Sequence, residues 1–272
     1  MCIRDRGYKT GDGSPYFRIG PCKTDTDGSL GGRTAALLAP YQDDPQNNGE
    51  IYYDAKTLGE MVKLAYENQC QFVCDAVGDR AMAMIIDAYE TVIRDHENED
   101  LRFGIDHCQI TNDRLLERLK QNRLIAGLEL GFVESDSYIA EDRLGKERAG
   151  SSYSWNSFIK KGISTCAGSD NPVEPYAPLH GIYAAVTRRN WDGLPEEGWF
   201  PEEKISVQEA VKMFTAGSAY ATFEEKEKGT LEIGKYADMV VLSGDPFRIP
   251  PEKIESVQVL RTITGGKTVF QK

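Results

Sequence analysis

The sequence predicts an α/β fold built on a parallel sheet, and three features point to it. Short apolar runs alternate five times with segments of helical spacing, the pattern of strands joined by crossover helices. Several of those runs end at a charged or metal-ligating residue next to a turn or helix start. After Gly229 the texture changes to strand-rich, which marks a small β appendage of its own. A chain of 272 residues is long enough for one large α/β domain or two ordinary ones.

The first strand is read over 16–23, with Lys23 at its end, before the loop Asp27-Gly28-Ser29-Leu30-Gly31-Gly32-Arg33. That loop has neither GxGxxG nor the Walker spacing, so it is a weak phosphate cradle. A polar loop follows over 40–49. A helix spans 56–68, with Leu58, Met61, Val62, Leu64 and Ala65 inward, and a strand 71–75 ends at Asp75. Asp79 is placed to cap a helix reaching 96, whose inner face is Met82, Ile85, Ile86, Tyr89, Val92 and Ile93.

The alternation continues with a strand over 101–107, a helix over 112–122 carrying Leu115, Leu116 and Leu119, and a strand over 124–130. A single helix is predicted over 147–161 with Tyr153, Trp155, Phe158 and Ile159. The stretch 163–175 then reads as a strand ending at Asp170, where Pro172 forces Asn171 out of helical geometry. A helix follows over 179–189, and Ser206 with Glu209 forms a capping box for another. The tail has strands at 239–242 and 257–264 and a Gly265-Gly266 hairpin signal.

Composition narrows the function. Lys+Arg 32 against Asp+Glu 43 gives a net charge of -11, which disfavours a nucleic-acid partner. No run has the length and apolarity of a membrane span. The six cysteines have no CxxC spacing, so buried reduced thiols in a reducing, cytoplasmic setting are expected and a zinc knuckle is not. Met1-Cys2-Ile3-Arg4-Asp5-Arg6 has no apolar core and reads as a foreign leader over 1–6.

In a parallel barrel the C-terminal strand ends gather at one face, which would unite Lys23, Asp75, His107 and Asp170. Each has an ordinary reading: an exposed strand-end lysine, a helix cap, a core histidine, a turn aspartate. Together they make a metal site if the lysine is carbamylated, because an ammonium cannot ligate and a carbamate can. His96 sits at a helix end, and His180, just inside a helix start, has nothing pointing to chemistry. Arg33 is a candidate contact for a substrate carboxylate or carbonyl, or else a structural ion pair. Glu129 and Glu134 are the carboxylates a glycosidase reading would use. Trp191, Trp199 and Phe200 either line a pocket or pack their loop.

Four runs carry a family resemblance: Lys23-Thr24-Asp25-Thr26-Asp27-Gly28-Ser29-Leu30-Gly31, Asp75-Ala76-Val77-Gly78-Asp79-Arg80-Ala81, Ile105-Asp106-His107-Cys108-Gln109 and Gly168-Ser169-Asp170-Asn171-Pro172-Val173-Glu174-Pro175. They resemble the amidohydrolase superfamily, in particular its amidohydrolase-3 branch. The run Gly229-Thr230-Leu231-Glu232-Ile233-Gly234-Lys235-Tyr236-Ala237-Asp238 is similar to the stretch where that superfamily leaves its barrel for a β-sandwich.

The resemblance implies a partial (β/α)8 TIM-type barrel, strands four to eight, over 7–228 and part of a β-sandwich over 229–272. It implies one or two divalent ions, Zn2+ by family, held by Lys23, Asp75, His107 and Asp170, with Asp170 moving the proton. The reaction implied is hydrolysis of a carbon–nitrogen bond other than a peptide bond, in a small amide- or formamide-like molecule. Homo-oligomers are compatible with it.

Two departures stand out. The family's His-x-His pair and first three strands have no counterpart, so the chain is expected to be a fragment that is inactive alone. Asp75 stands where the family has histidine, which favours Mn2+ or Mg2+ over Zn2+. A pseudoenzyme that binds a small molecule or a partner is the alternative.

Overall fold

Residues 7–272 are described by the computed structural model, so the expected leader over 1–6 and Cys2 lie outside the described residues. The predicted first strand is split. A hairpin of β1 (Gly13–Ser14) and β2 (Phe17–Arg18) comes first, and the sheet strand β3 (Cys22–Asp25) starts only after Gly20 and Pro21. Pro21 has no N–H to give a ladder, so regular pairing begins beyond it. Lys23 is therefore the second residue of its strand and not the last.

The predicted alternation then follows: α1 (Ala55–Glu67), β4 (Phe72–Ala76), α2 (Asp79–Ile93), β5 (Gly104–His107), α3 (Asp113–Gln121), β6 (Ile125–Glu129) and, later, β7 (Ser164–Gly168). The sheet order is β3-β4-β5-β6-β7. The ladders β3–β4, β4–β5 and β5–β6 are parallel. The chain divides into two compact units: one runs to Leu128 and resumes over Ile139–Ser164, and the other is Glu129–Tyr138 with Thr165–Lys272.

In the first unit, α1 is capped by Asp54, which accepts from Thr57 N at 2.7 Å. Its buried stripe is Leu58, Val62 and Ala65, while Leu64 falls off that stripe and is 41% exposed. Helix α1 packs on α2, α2 on α3, and α3 on α7 (Trp155–Lys161). The predicted single helix over 147–161 is broken instead into α6 (Lys146–Gly150) and α7, after the unpredicted α4 (Phe132–Asp136) and α5 (Ala140–Leu144). Tyr153, inside the predicted span, has a left-handed φ of 51 that an α-helix does not accommodate, and Gly145 at φ 73 separates α5 from α6. The apolar spacing survives the break, since Tyr153, Trp155 and Phe158 are all buried.

Asp79 is not a cap. Gly78 holds the N-cap position of α2, and the Asp79 carboxylate accepts from Leu38 N at 2.8 Å. A Cβ at Gly78 would lie 2.0 Å from the Ala36 carbonyl oxygen, so only glycine lets the glycine-rich loop pass so close. Asp27 fastens that loop. Its carboxylate is buried and accepts from Ala36 N at 2.7 Å, Val77 N at 2.9 Å and Gly78 N at 2.8 Å. Burial pushes this carboxyl up to about 6 against the pull of the three amides. The amides at this anchor thus face the protein's own carboxylate.

The second unit contains α8 (Pro178–Thr187), α9 (Val207–Lys212) and α10 (Ser218–Ala221), with the expected Ser206–Glu209 capping box and a π-helical turn over Met213–Gly217. Helix α8 packs on α4, on α9 and on the 3-10 turn Pro251–Ser256. Strands β8 (Met239–Leu242), β9 (Val259–Thr264) and β10 (Lys267–Gln271) form an antiparallel sheet in the order β10-β9-β8. Gly265 and Gly266, at φ 55 and 77, make the predicted β9–β10 hairpin turn. Among the described residues no helix is long and apolar enough to cross a membrane, and none of the five described cysteines forms a disulfide.

Removing the Asp27 carboxylate strands three amides. Asp27→Ala is expected to cost about 2–4 kcal/mol, read as a lower urea midpoint, with Asp27→Asn costing less.

Candidate metal centre at the strand ends

Cross-strand register places three carboxylates in one row: Asp25 pairs with Asp75, and Asp75 with Asp106. Lys23 lies two residues before Asp25 and so points to the same face. Its ammonium meets Asp75 Oδ1 at 2.9 Å and Asp106 Oδ2 at 3.2 Å. Asp106 fits there because its neighbour is Gly127, where a Cβ would lie 2.2 Å from Asp106 Oδ1. His107 ends β5 with a left-handed φ of 71, and its Nε2 lies 3.8 Å from Asp75 Oδ2.

The electrostatics follow from this crowding. Burial pushes the Asp75 carboxyl up to about 7; Lys23 opposes that shift, and Asp25 and Asp106 add to it. Burial alone would lower the Lys23 amine, but Asp75 and Asp106 more than reverse this and hold it as an ammonium. Three of the four candidate residues, Lys23, Asp75 and His107, thus lie in one group, with Asp106 as an unpredicted fourth member. Lys23 serves as the cation of the group. Asp75 is not the helix cap that one reading made it.

Asp170 lies in the second unit, past the end of β7, at φ 52. Arg33 is committed elsewhere. Its guanidinium makes a two-point contact with Asp43, Nε–Oδ1 at 3.2 Å and Nη2–Oδ2 at 2.8 Å, and Arg143 also reaches Asp43. This is the structural ion pair, not the substrate contact. Trp199 is buried against Phe200 and Arg188 and serves packing, while Trp191 is half exposed.

The second unit holds a cluster that sequence reasoning missed. Glu134, His180 and Glu255 have donor atoms within 4.8 Å of one another, the one such group of histidine, cysteine and acidic donors among the described residues. His180 Nε2 lies 2.5 Å from Glu134 Oε2, and Nδ1 lies 3.1 Å from Glu255 Oε1. Glu134, the second carboxylate of the glycosidase reading, thus lies at ion-pair distance from His180. The one signal available for His180 was the rarity of histidine, three in the chain.

A model of the amidohydrolase family matches residues 4–270. The chain belongs to that family. It is 38% identical over 259 residues to YtcJ of Bacillus subtilis, an amidohydrolase by name, covering 95% of this chain and 48% of that protein. The N-substituted formamide deformylase of Arthrobacter pascens is 26% identical, over 82% of this chain and 41% of its own. An uncharacterized metal-dependent hydrolase from Pyrococcus horikoshii superposes with a TM-score of 0.81 at 27% identity, covering 92% of this chain and 49% of that one. This amidohydrolase chain thus spans about half the length of the relatives it matches.

Removing the amidohydrolase's Lys23 ammonium leaves part-buried carboxylates side by side. Lys23→Met is expected to cost about 1–2 kcal/mol, limited by its half-exposed side chain, and adding Asp75→Asn should restore most of that. A double-mutant cycle in urea reads the coupling.

Proposed function

We propose that this chain carries part of the active centre of a metal-dependent hydrolase of non-peptide carbon–nitrogen bonds, with a small amide- or formamide-like molecule as substrate. The observation that carries the reading is the group Lys23, Asp75 and His107 on three consecutive parallel strands of an amidohydrolase. The activity named for the Arthrobacter relative supports the formamide-like end of that range.

The residues fit a divalent ion. Asp75 and His107 present an oxygen and a nitrogen 3.8 Å apart, within the span of two donors each about 2.1 Å from one cation. When bound, such an ion polarises a carbonyl and makes water acidic near neutral pH. Asp75 and His107 would hold it, and Asp106 would keep Lys23 oriented beside it. Asp170 is assigned the proton transfer to the leaving nitrogen, on its place in the family motif. The oxygen-rich donor set favours Mn2+ or Mg2+ over Zn2+. A carbamate on Lys23 requires its amine to leave both carboxylates, so one ion held by Asp75 and His107 is the simpler state.

A non-catalytic descendant is the second reading. It is favoured by Asp75 standing where the family has histidine and by two carboxylates claiming the Lys23 amine. Metal content separates the two. Purified with added Mn2+, the chain should retain about one ion, and His107→Ala should weaken retention by about tenfold or more. Asp75→His should shift the preference toward Zn2+, and hydrolysis of an N-substituted formamide should follow the metal content. No metal-dependent turnover, with no change of metal preference in Asp75→His, would favour the descendant.

A further inference from the structure

The loop 169–177 joins β7 to α8 and carries Asp170. Two contacts tie it and the start of α8 to α4. Ser135 Oγ donates to Glu174 Oε1 at 2.6 Å, and His180, the third residue of α8, meets Glu134 at 2.5 Å. A third contact, His180 to Glu255 at 3.1 Å, reaches the turn Pro251–Ser256. The Trp191 indole stacks on the His180 ring, with centroids 4.9 Å apart and planes 17° off parallel. All these groups belong to the second unit.

The cluster is a charge clamp. A cation can take only one ring nitrogen at a time, whereas here each nitrogen faces its own carboxylate. The Glu134 side chain is 2% exposed and that of His180 is 10%, so each shielded charge depends on the other for its compensation. Glu134 faces the imidazole from α4, Glu255 from the 3-10 turn, and Trp191 from its loop. Around them lie Glu174 beside Glu134, Tyr183 on α8, Asp192 held by Tyr138, and the Arg189–Glu252 pair at 3.7 Å. Burial and the α8 N-terminus both work against a charged ring, and the two carboxylates outweigh them.

We propose that His180 is a positioning residue: as an imidazolium clamped between Glu134 and Glu255, it fixes the loop that presents Asp170, and the clamp opens when the ring loses its proton. Its bearing on hydrolysis rests on the proton-carrying role of Asp170; the clamp itself does not. Folding raises the ring's pKa above its ordinary 6.5, so the clamp's stabilisation is fully present below 6.5 and lost as pH rises through the higher folded value.

The stacked indole reports the ring, because a charged imidazole quenches it more than a neutral one. Emission is followed from about pH 5.5 to about pH 9 with chelator present, for the wild type, Trp191→Phe, His180→Gln and Glu255→Gln. The difference between wild type and Trp191→Phe should brighten with a midpoint above 6.5. His180→Gln should abolish that titration. Glu255→Gln removes the half-exposed one of the two carboxylates on the ring, and it should lower the midpoint.

Amide exchange over 170–176, corrected for intrinsic rate, should quicken across the same pH range and be fast throughout in His180→Gln. A flat difference signal, a midpoint at or below 6.5, or an unmoved midpoint in Glu255→Gln overturns the clamp. A normal titration with unchanged exchange over 170–176 overturns the positioning role. None of these readouts uses metal or turnover, so failure of the hydrolase reading shows separately.

Discussion

Three aspartates in one cross-strand row are the constraint on which the candidate centre depends. Neighbouring parallel strands lie about 4.8 Å apart, so Asp25, Asp75 and Asp106 would repel one another if nothing positive stood among them. Lys23 supplies that charge from the same face. The row is also why the site suits a cation, since carboxylates already pressed together are poised to accept one. Function and local stability thus oppose each other here, as expected where a site stores charge that the fold would otherwise avoid.

The scaffold behind the row is rigid for a different reason. Asp27 turns three backbone amides inward and locks the glycine-rich loop to the exit of β4, next to Asp75. Gly78 makes that approach sterically possible, and Asp79 adds a second tether through Leu38. In the second unit, a hydrogen bond from Ser135 to Glu174 and the His180–Glu134 ion pair anchor the loop after β7 and the start of α8. One anchor is a buried carboxylate that accepts from three amides and would be lost as pH falls through about 6, and the other is an imidazolium that would be lost as pH rises, so the two respond to pH in opposite directions.

Much of this was legible in the sequence, because period and strand-end chemistry are local. The five sheet strands, the capping box at Ser206 and the Gly265-Gly266 hairpin were read from short-range pattern alone. The helix over 147–161 failed because helical spacing of aromatic residues persists through left-handed breaks, which spacing does not encode. Asp106 lies within one of the four family-like runs, but its role depends on register with Asp75 and on the missing side chain of Gly127, neither of which spacing shows. The role of His180 was not legible because its partners, Glu134 and Glu255, are far from it in sequence. Arg33 looked available only because Asp43 and Arg143 become its neighbours through folding.

The central claim is that Asp75 and His107 hold a cation beside Lys23. The most direct test is an anomalous difference map from crystals of the protein grown with Mn2+. The account predicts a peak about 2.2 Å from both the Asp75 carboxylate and His107 Nε2, with the Lys23 amine outside bonding distance. A map with no peak between those two side chains would contradict it.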